Sequence, residues 1–304
     1  MFQMINMMKF SFSILFLWIT FRVVDFHTIT PIIMHADTTF IIFAVILQLG
    51  STMLAAYRWS LIMSALHFHQ NFVFYLGSYF KGAFFNQALP GSIGGDAVRG
   101  LELGSMGYSK KEAFAGIFID RIVGLVGLLI LNFGANLSSS DVLPLWLFHL
   151  VNMICLGGIT GFSILIVLHK IKWLHNYQAT RLFANLSHRF RQVYATKKAI
   201  VVQVGLSVII HFLSVLAFYE IARSVGIPLP LSLFLVVVPP VFLLTIIPIS
   251  LAGWGVRESA MVGIFILVGG SKEAILSVSL LYGIMLIVAS LPGLFIWLKG
   301  KKLV

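Results

Sequence analysis

The 304 residues are 59% hydrophobic and only 10% charged, with a mean hydropathy of +1.00. A soluble domain is about a quarter charged, so water is excluded as the medium for most of this chain, and a lipid bilayer takes its place. Lys and Arg outnumber Asp and Glu by 21 to 10, but the basic residues lie in short segments between apolar runs, a pattern set by membrane topology and anionic headgroups rather than by nucleic acid.

Apolar runs of about 20 residues, the length that crosses a bilayer as a helix, place spans at about 9–30, 39–66, 112–135, 145–169, 199–224 and 272–298. The first follows a single lysine and lacks a small-residue cleavage site, so it is expected to be a retained helix and not a signal peptide. Two further apolar stretches, about 72–106 and 229–269, are interrupted at ALPGSIGGDAVRG and TIIPISLAGWGVRES. Each half is short for a crossing, and each stretch reads as a re-entrant hairpin of two half-helices, with short full spans as the other option. Residues 170–198 mix basic residues with Trp173, Leu174, Leu182, Phe183, Leu186 and Phe190. They read as an amphipathic surface helix or, more simply, as a polar connector.

The positive-inside rule tests this layout. Lys9, the basic residues from Lys81 to Lys111, those from Lys170 to Lys198 and those from Lys299 to Lys302 share one side, whereas Arg223, Arg257 and Lys272 take the other. Both termini are therefore expected in the cytoplasm. The predicted fold is an all-α polytopic membrane protein, a single membrane domain over 1–304, with six transmembrane helices plus two re-entrant hairpins, or eight spans if the hairpins cross.

The two interrupted stretches resemble each other. PGSIGGDAVR at 90–99 aligns with PISLAGWGVR at 248–257, identical at Pro90/Pro248, Ser92/Ser250, Gly95/Gly253, Val98/Val256 and Arg99/Arg257. Lys-Glu-Ala at 111–113 recurs at 272–274, opening the next helix in both cases. Repeat one covers about 39–135 and repeat two about 199–298. In this layout they run through the bilayer in opposite senses, and such inverted repeats with broken helices are a recurring construction of transporters.

Proline and small residues break each hairpin and leave backbone N–H groups at the N-terminus of its second half-helix, where the dipole attracts anions. The candidate substrate contacts are Pro90, Gly91, Ser92, Gly94, Gly95, Asp96 and Arg99 on the first hairpin, and Ser250, Gly253, Trp254, Gly255, Arg257 and Glu258 on the second. Asp96 is also placed to cap its helix. An arginine inside the membrane costs about 2.5–3.5 kcal/mol on insertion scales and so faces a cavity or a partner. A phosphate is one such partner; the competing reading is that the glycines permit close packing and the arginines pair with Asp96, Glu102 or Glu258. Asp120 and Arg121 lie within a span, and Leu281 and Tyr282 stand at the corresponding places of the second repeat. They are candidates for ion or proton coupling or for a structural ion pair. Glu220 and Arg223 are expected to pair locally.

The nine histidines show no metal-ligand spacing, and no Walker, HExxH or GxSxG sequence occurs. No catalytic residue, metal or cofactor is expected, and the protein is not expected to be an enzyme. Cys155, the single cysteine, reads as a core residue.

The stretch KGAFFNQALPGSIGGDAVRG, followed by IDRIVGL and LAGWGVRES, resembles the lysylphosphatidylglycerol synthase transmembrane family, also called flippase-like or UPF0104. The resemblance runs from the second helix to the C-terminus and rests on Asn86, Pro90, Gly94, Gly95, Asp96, Arg99, Asp120, Arg121, Gly253, Gly255, Arg257 and Glu258. It implies an integral protein of a prokaryotic cytoplasmic membrane and adds Asn86 to the substrate contacts. Well-understood members fuse such a domain to a cytosolic aminoacyltransferase, which this sequence does not show. The resulting expectation is a flippase or scramblase moving a phosphate-bearing lipid of phospholipid, glycolipid or polyprenyl-phosphate type, held at the two hairpin tips, with a lipid of anionic headgroup as partner. The alternative is a non-transporting accessory subunit that docks a lipid-synthesising enzyme.

Overall fold

The computed structural model describes residues 26–88, 94–167, 170, 178–247, 250 and 252–300. Among these residues the structure is entirely helical: α1 (Phe26–Met34), α2 (Thr38–Ala65), α3 (Phe72–Ala88), α4 (Gly94–Ser105), α5 (Lys110–Ser138), α6 (Leu145–Val167), α7 (Gln178–Val193), α8 (Lys197–Ser224), α9 (Leu231–Ile246), α10 (Val256–Leu267) and α11 (Lys272–Gly300). Five helices, α2, α5, α6, α8 and α11, are long and apolar enough to cross a membrane. The first span expected from the sequence falls mostly outside the described residues.

Three helix starts are set by local chemistry. The Asp37 carboxylate accepts from Thr39 N–H at 2.8 Å, the Ser109 hydroxyl from Glu112 N–H at 3.4 Å, and the Thr196 hydroxyl from Ala199 N–H at 3.1 Å, each satisfying a first-turn donor. In the interrupted stretches the second arms, α4 and α10, have 12 residues each. That is about 18 Å of helix, short of the roughly 30 Å hydrocarbon core, so neither arm crosses by itself. The segment 170–198 is more than a connector. Phe190 and Val193 at the end of its α7, with Tyr194 just after, are buried against Phe162, Ile62 and Ile119 of the bundle, and Arg189 pairs with Glu112.

The two halves match element for element, with lengths of 28, 17, 12 and 29 residues for α2 to α5 and of 28, 16, 12 and 29 for α8 to α11. Their contacts match too. α3 packs on α11 as α9 packs on α5, α5 packs on α8 as α11 packs on α2, and α2 and α8, the equivalent helices, pack on each other. Asp37 N–H donates to Ser224 O at 2.8 Å, the Ser51 hydroxyl to Ile210 O at 3.1 Å, and Arg58 Nη1 to the Ser207 hydroxyl at 2.8 Å. As α2 advances the partner residue on α8 recedes, so the equivalent helices are antiparallel.

The outward face is apolar, with Ile42, Met153, Val201 and Phe295 all more than half exposed, as a surface solvated by lipid requires. Burying apolar side chains from lipid gains little, so helices associate in membranes by close packing of small residues and by polar contacts. Gly293 of α11 shows the constraint: a Cβ there would lie 2.0 Å from Phe80 O of α3. Replacing it by alanine forces the helices apart, and Gly293→Ala is expected to lower stability by about 1–3 kcal/mol. A Cβ on Gly205 would meet nothing within 4 Å, so Gly205→Ala should be neutral or stabilising by up to about 1 kcal/mol. Thermal unfolding of both variants in detergent checks the contrast.

Candidate functional site

The first hairpin brings its charged residues against α2 and α5. Asp120 lies about ten residues into α5, about 15 Å along the axis, and is 1% exposed. Burial of a lone carboxylate would be prohibitive, and it is resolved by two arginines. Arg58 of α2 donates through Nε at 3.0 Å and Nη2 at 2.8 Å to Asp120 Oδ1, while its Nη1 reaches the Ser207 hydroxyl of α8. Arg99 of α4 donates through Nη1 to Asp120 Oδ2 at 3.2 Å and through Nη2 to Asp96 Oδ1 at 2.6 Å. The other Asp96 oxygen accepts from Arg121 Nε. Arg99 also lies against both the Trp59 and Tyr79 rings, 4.7 and 4.6 Å from their centroids, a cation–π arrangement that offsets part of its lost hydration.

Three arginines and two aspartates thus form one network with a formal excess of one positive charge. Asp120 and Arg121, adjacent in sequence, take separate partners because neighbouring helix positions point about 100° apart. Arg121 is the least enclosed member, its side chain 34% exposed.

The network forms one wall of a cavity of about 520 Å³ between the repeats, within the range of small-molecule sites. Gln48 and Thr52 of α2, Asn86 and Gln87 of α3, His211 and Ser214 of α8, Ile246 of α9 and Ser290 of α11 complete it. The first arms of both hairpins therefore end on the cavity. Phe118 and Ile246, which line it, are 45% and 42% exposed, so the cavity reaches the outer surface of the bundle.

The glycine-rich turn is built as tightly as its sequence suggests. A Cβ on Gly95 would lie 2.1 Å from Gly82 O of α3, so only glycine allows the two arms this contact. Asn86 Oδ1 accepts the Gly95 N–H at 2.8 Å. The cap expected of Asp96 is thus supplied by Asn86 from the neighbouring arm, because the Asp96 carboxylate is drawn to Arg99 and Arg121. Gly94 opens α4; Pro90, Gly91 and Ser92 lie outside the described residues. Glu102, the other carboxylate considered for Arg99, pairs with Lys81.

The second hairpin is closed on itself. Arg257 Nη2 donates to Glu258 Oε1 at 2.6 Å, and Ser279 bonds both residues. Glu258 Oε2 accepts the Gly255 N–H at 2.6 Å, so the protein's own carboxylate occupies the N-terminus of α10. Gly253 and Gly255, both at φ +83°, and Ala252 at φ +48° form the turn, a left-handed path that glycine follows without strain. Arg257 stacks on Trp254, 4.9 Å from the ring centroid, and both lie against Gly283, where a Cβ would meet them at 2.4 and 2.6 Å. Ser250, buried at 3% exposure, and Gly253, Trp254, Gly255, Arg257 and Glu258 stand apart from the residues that line the cavity.

The neutral polar residues of the cavity, Gln48, Thr52, Gln87, Ser214 and Ser290, carry no signal in the sequence, and two ionisable ones, Arg58 and His211, were not singled out either. Arg58 carried a signal, being an arginine inside a span. His211, one of nine histidines without metal-ligand spacing, sits within α8 with Nε2 2.9 Å from Gly124 O, and its position in a span was the only clue. Elsewhere the local expectations hold: Arg223 pairs with Glu220 at 3.2 Å, and Cys155 is fully buried. Among the described residues no group of three or more His, Cys, Asp or Glu side chains could hold a metal ion.

Removing the central carboxylate tests the network. Asp120→Asn leaves Arg58 and Arg99 buried without their shared counter-charge and is expected to cost about 3–5 kcal/mol. The double replacement Arg58→Met/Asp120→Leu removes charge from both sides and should unfold at a higher temperature in detergent than Asp120→Asn.

The sequence profile described as the lysylphosphatidylglycerol synthase TM region matches residues 6–293. A UPF0104 membrane protein of Pyrococcus horikoshii is 24% identical over 171 residues, covering 55% of this chain and 49% of that protein. A UPF0104 membrane protein of Methanothermobacter thermautotrophicus is 22% identical over 252 residues, covering 73% and 72% of the two chains. The matched region thus spans about half the length of the Pyrococcus relative and nearly three quarters of the Methanothermobacter one. The match over almost the whole sequence, together with five apolar spans and two paired half-helix hairpins, places this chain in the family of lysylphosphatidylglycerol synthase transmembrane regions.

Proposed function

We propose that the protein moves a phosphate-bearing lipid between the leaflets of the membrane, with the headgroup in the cavity beside Arg121 and the acyl chains in the surrounding lipid. The observation that carries this reading is the buried network of three arginines and two aspartates, positive by one charge, on the wall of a cavity that reaches the surface of the bundle. An intramembrane site of this kind marks a substrate pathway. The family's name concerns a phospholipid and supports the same class of substrate.

Asp120 has both oxygens engaged by arginines and serves as the fixed counter-ion of the site. Arg121 and Asp96 form its adjustable part: a phosphate entering beside them takes hydrogen bonds from Arg121 that Asp96 holds in the empty site, and its departure restores the pair. Ion or proton coupling falls to these groups. The antiparallel repeats supply the structural change, since exchanging the conformations of the two halves exchanges access from the two sides. The self-closed second hairpin is the side that is shut. The cytoplasmic location of both termini follows from the distribution of Lys and Arg between the segments. On this reading the protein is a transporter and not an enzyme.

The full chain, reconstituted in liposomes with trace fluorescent phospholipids of several headgroups and a labelled polyprenyl phosphate, is tested by dithionite quenching of outer-leaflet label. Wild type should accelerate exchange of a phosphate-bearing lipid. Arg121→Gln should slow it about tenfold or more, as loss of hydrogen bonds to a charged group requires, and Lys272→Gln, in a partly exposed pair with Glu273 outside the cavity lining, should leave it unchanged. If no lipid exchanges, the reading gives way to an accessory subunit that docks an enzyme through the basic segment 170–198.

A further inference from the structure

We infer that the lipid handled in this cavity is a phosphodiester whose headgroup carries hydroxyl groups and no ammonium group. This rests on the translocation reading above and narrows its substrate.

Charge decides the first part. The two carboxylates of the cavity are both committed: Asp120 to Arg58 and Arg99, Asp96 to Arg99 and Arg121. Among the described residues an ammonium group entering here finds no carboxylate without an arginine and meets a network with one excess positive charge, in surroundings where charges are poorly screened. Of the two Phe and Tyr residues among the described cavity lining, Tyr79 is already covered by the Arg99 guanidinium at 4.6 Å, which leaves only Phe118, 45% exposed, as an aromatic face. Lysylphosphatidylglycerol bears two ammonium groups for one phosphate and is net cationic, so the lipid that gives the family its name is a poor fit. A phosphodiester brings one negative charge and matches the excess of one. A phosphomonoester, with up to two, leaves charge buried without compensation.

The neutral wall decides the second part. Gln48 Oε1 is buried and has no hydrogen-bond partner in the protein, which is costly unless a ligand donates to it. The Thr52 and Ser290 hydroxyls donate to Gln48 O at 2.9 Å and to Ile287 O at 2.7 Å in their own helices, so each presents its remaining lone pairs as acceptors. Acceptors grouped in this way call for donors, and with ammonium excluded by charge the suitable donors are hydroxyl groups. A glycerol or sugar headgroup has them; choline and methyl esters do not.

The test uses the full chain in liposomes with acyl-labelled phosphatidylglycerol, phosphatidylmethanol, lysylphosphatidylglycerol and phosphatidate, and a labelled polyprenyl phosphohexose. Exchange of phosphatidylglycerol or of the polyprenyl phosphohexose should be about tenfold faster than exchange of lysylphosphatidylglycerol, phosphatidate or phosphatidylmethanol, the ratio given by about 1.4 kcal/mol of recognition. Which of the two favoured lipids moves identifies the anchor. Gln48→Leu should abolish the preference over phosphatidylmethanol, read as the ratio of the two exchange rates. Equal or faster movement of lysylphosphatidylglycerol, equal movement of phosphatidylmethanol, or unselective exchange of all five would each overturn the inference. Absence of any exchange by a protein that elutes as a folded species overturns the translocation reading itself.

Discussion

Asp120 stands a third of the way into a long apolar helix, where an ionised group is tolerated only with its charge and hydrogen bonds answered, and the arrangement of the bundle depends on how that is done. Arg58 and Arg99 answer it from two different helices, and Arg58 carries the connection on to Ser207 in the second repeat. Four helices are fixed relative to one another by this group. In a bilayer, where apolar burial contributes little to helix association, polar contacts of this kind are one of the means by which the arrangement is set.

From this constraint follows the difference between the repeats. The two hairpins have near-identical lengths and share their broken-helix sequence, but the second carries Trp254 where the first has Asp96, and Glu258 where the first has Gly100. Glu258 closes the N-terminus of α10 and neutralises Arg257 locally, so that hairpin needs nothing further. Asp96 is instead shared by two arginines and leaves the first hairpin's network positive by one charge. A two-fold related scaffold thus holds an asymmetric site, and the cavity lies where the asymmetry leaves charge in excess. The cation–π stacking of Arg99 on Trp59 and Tyr79 and of Arg257 on Trp254 shows the same device in both halves, with different counter-ions.

The packing of the halves uses equivalent crossings with different chemistry. Where α11 meets α3, Gly293 lets the backbones touch; where α5 meets α9, Asn132 donates to the Val236 carbonyl at 2.9 Å. Small residues and polar side chains are the two means by which membrane helices associate without a hydrophobic drive. One protein uses each at the same place in its two repeats.

The sequence by itself determined the helices, because crossing a bilayer imposes a length and an apolar composition that each span must satisfy: the boundaries expected at 39–66, 199–224 and 272–298 differ from α2, α8 and α11 by only a few residues. It also determined the repeat, since PGSIGGDAVR and PISLAGWGVR are similar enough to align, and the residues of the first hairpin that take part in the network. The tertiary structure decided the rest. It assigned the partners of Arg99 and Arg257, moved the cap of α4 from Asp96 to Asn86, brought Arg58 and His211 to the cavity and kept the turn and second arm of the second hairpin away from it. Local pattern reports which residues are costly to bury, but which of several distant opposite charges relieves that cost depends on helix packing. Packing is set by contacts such as Gly95 on Gly82 and Gly293 on Phe80, whose partners are not encoded at any fixed spacing along the chain.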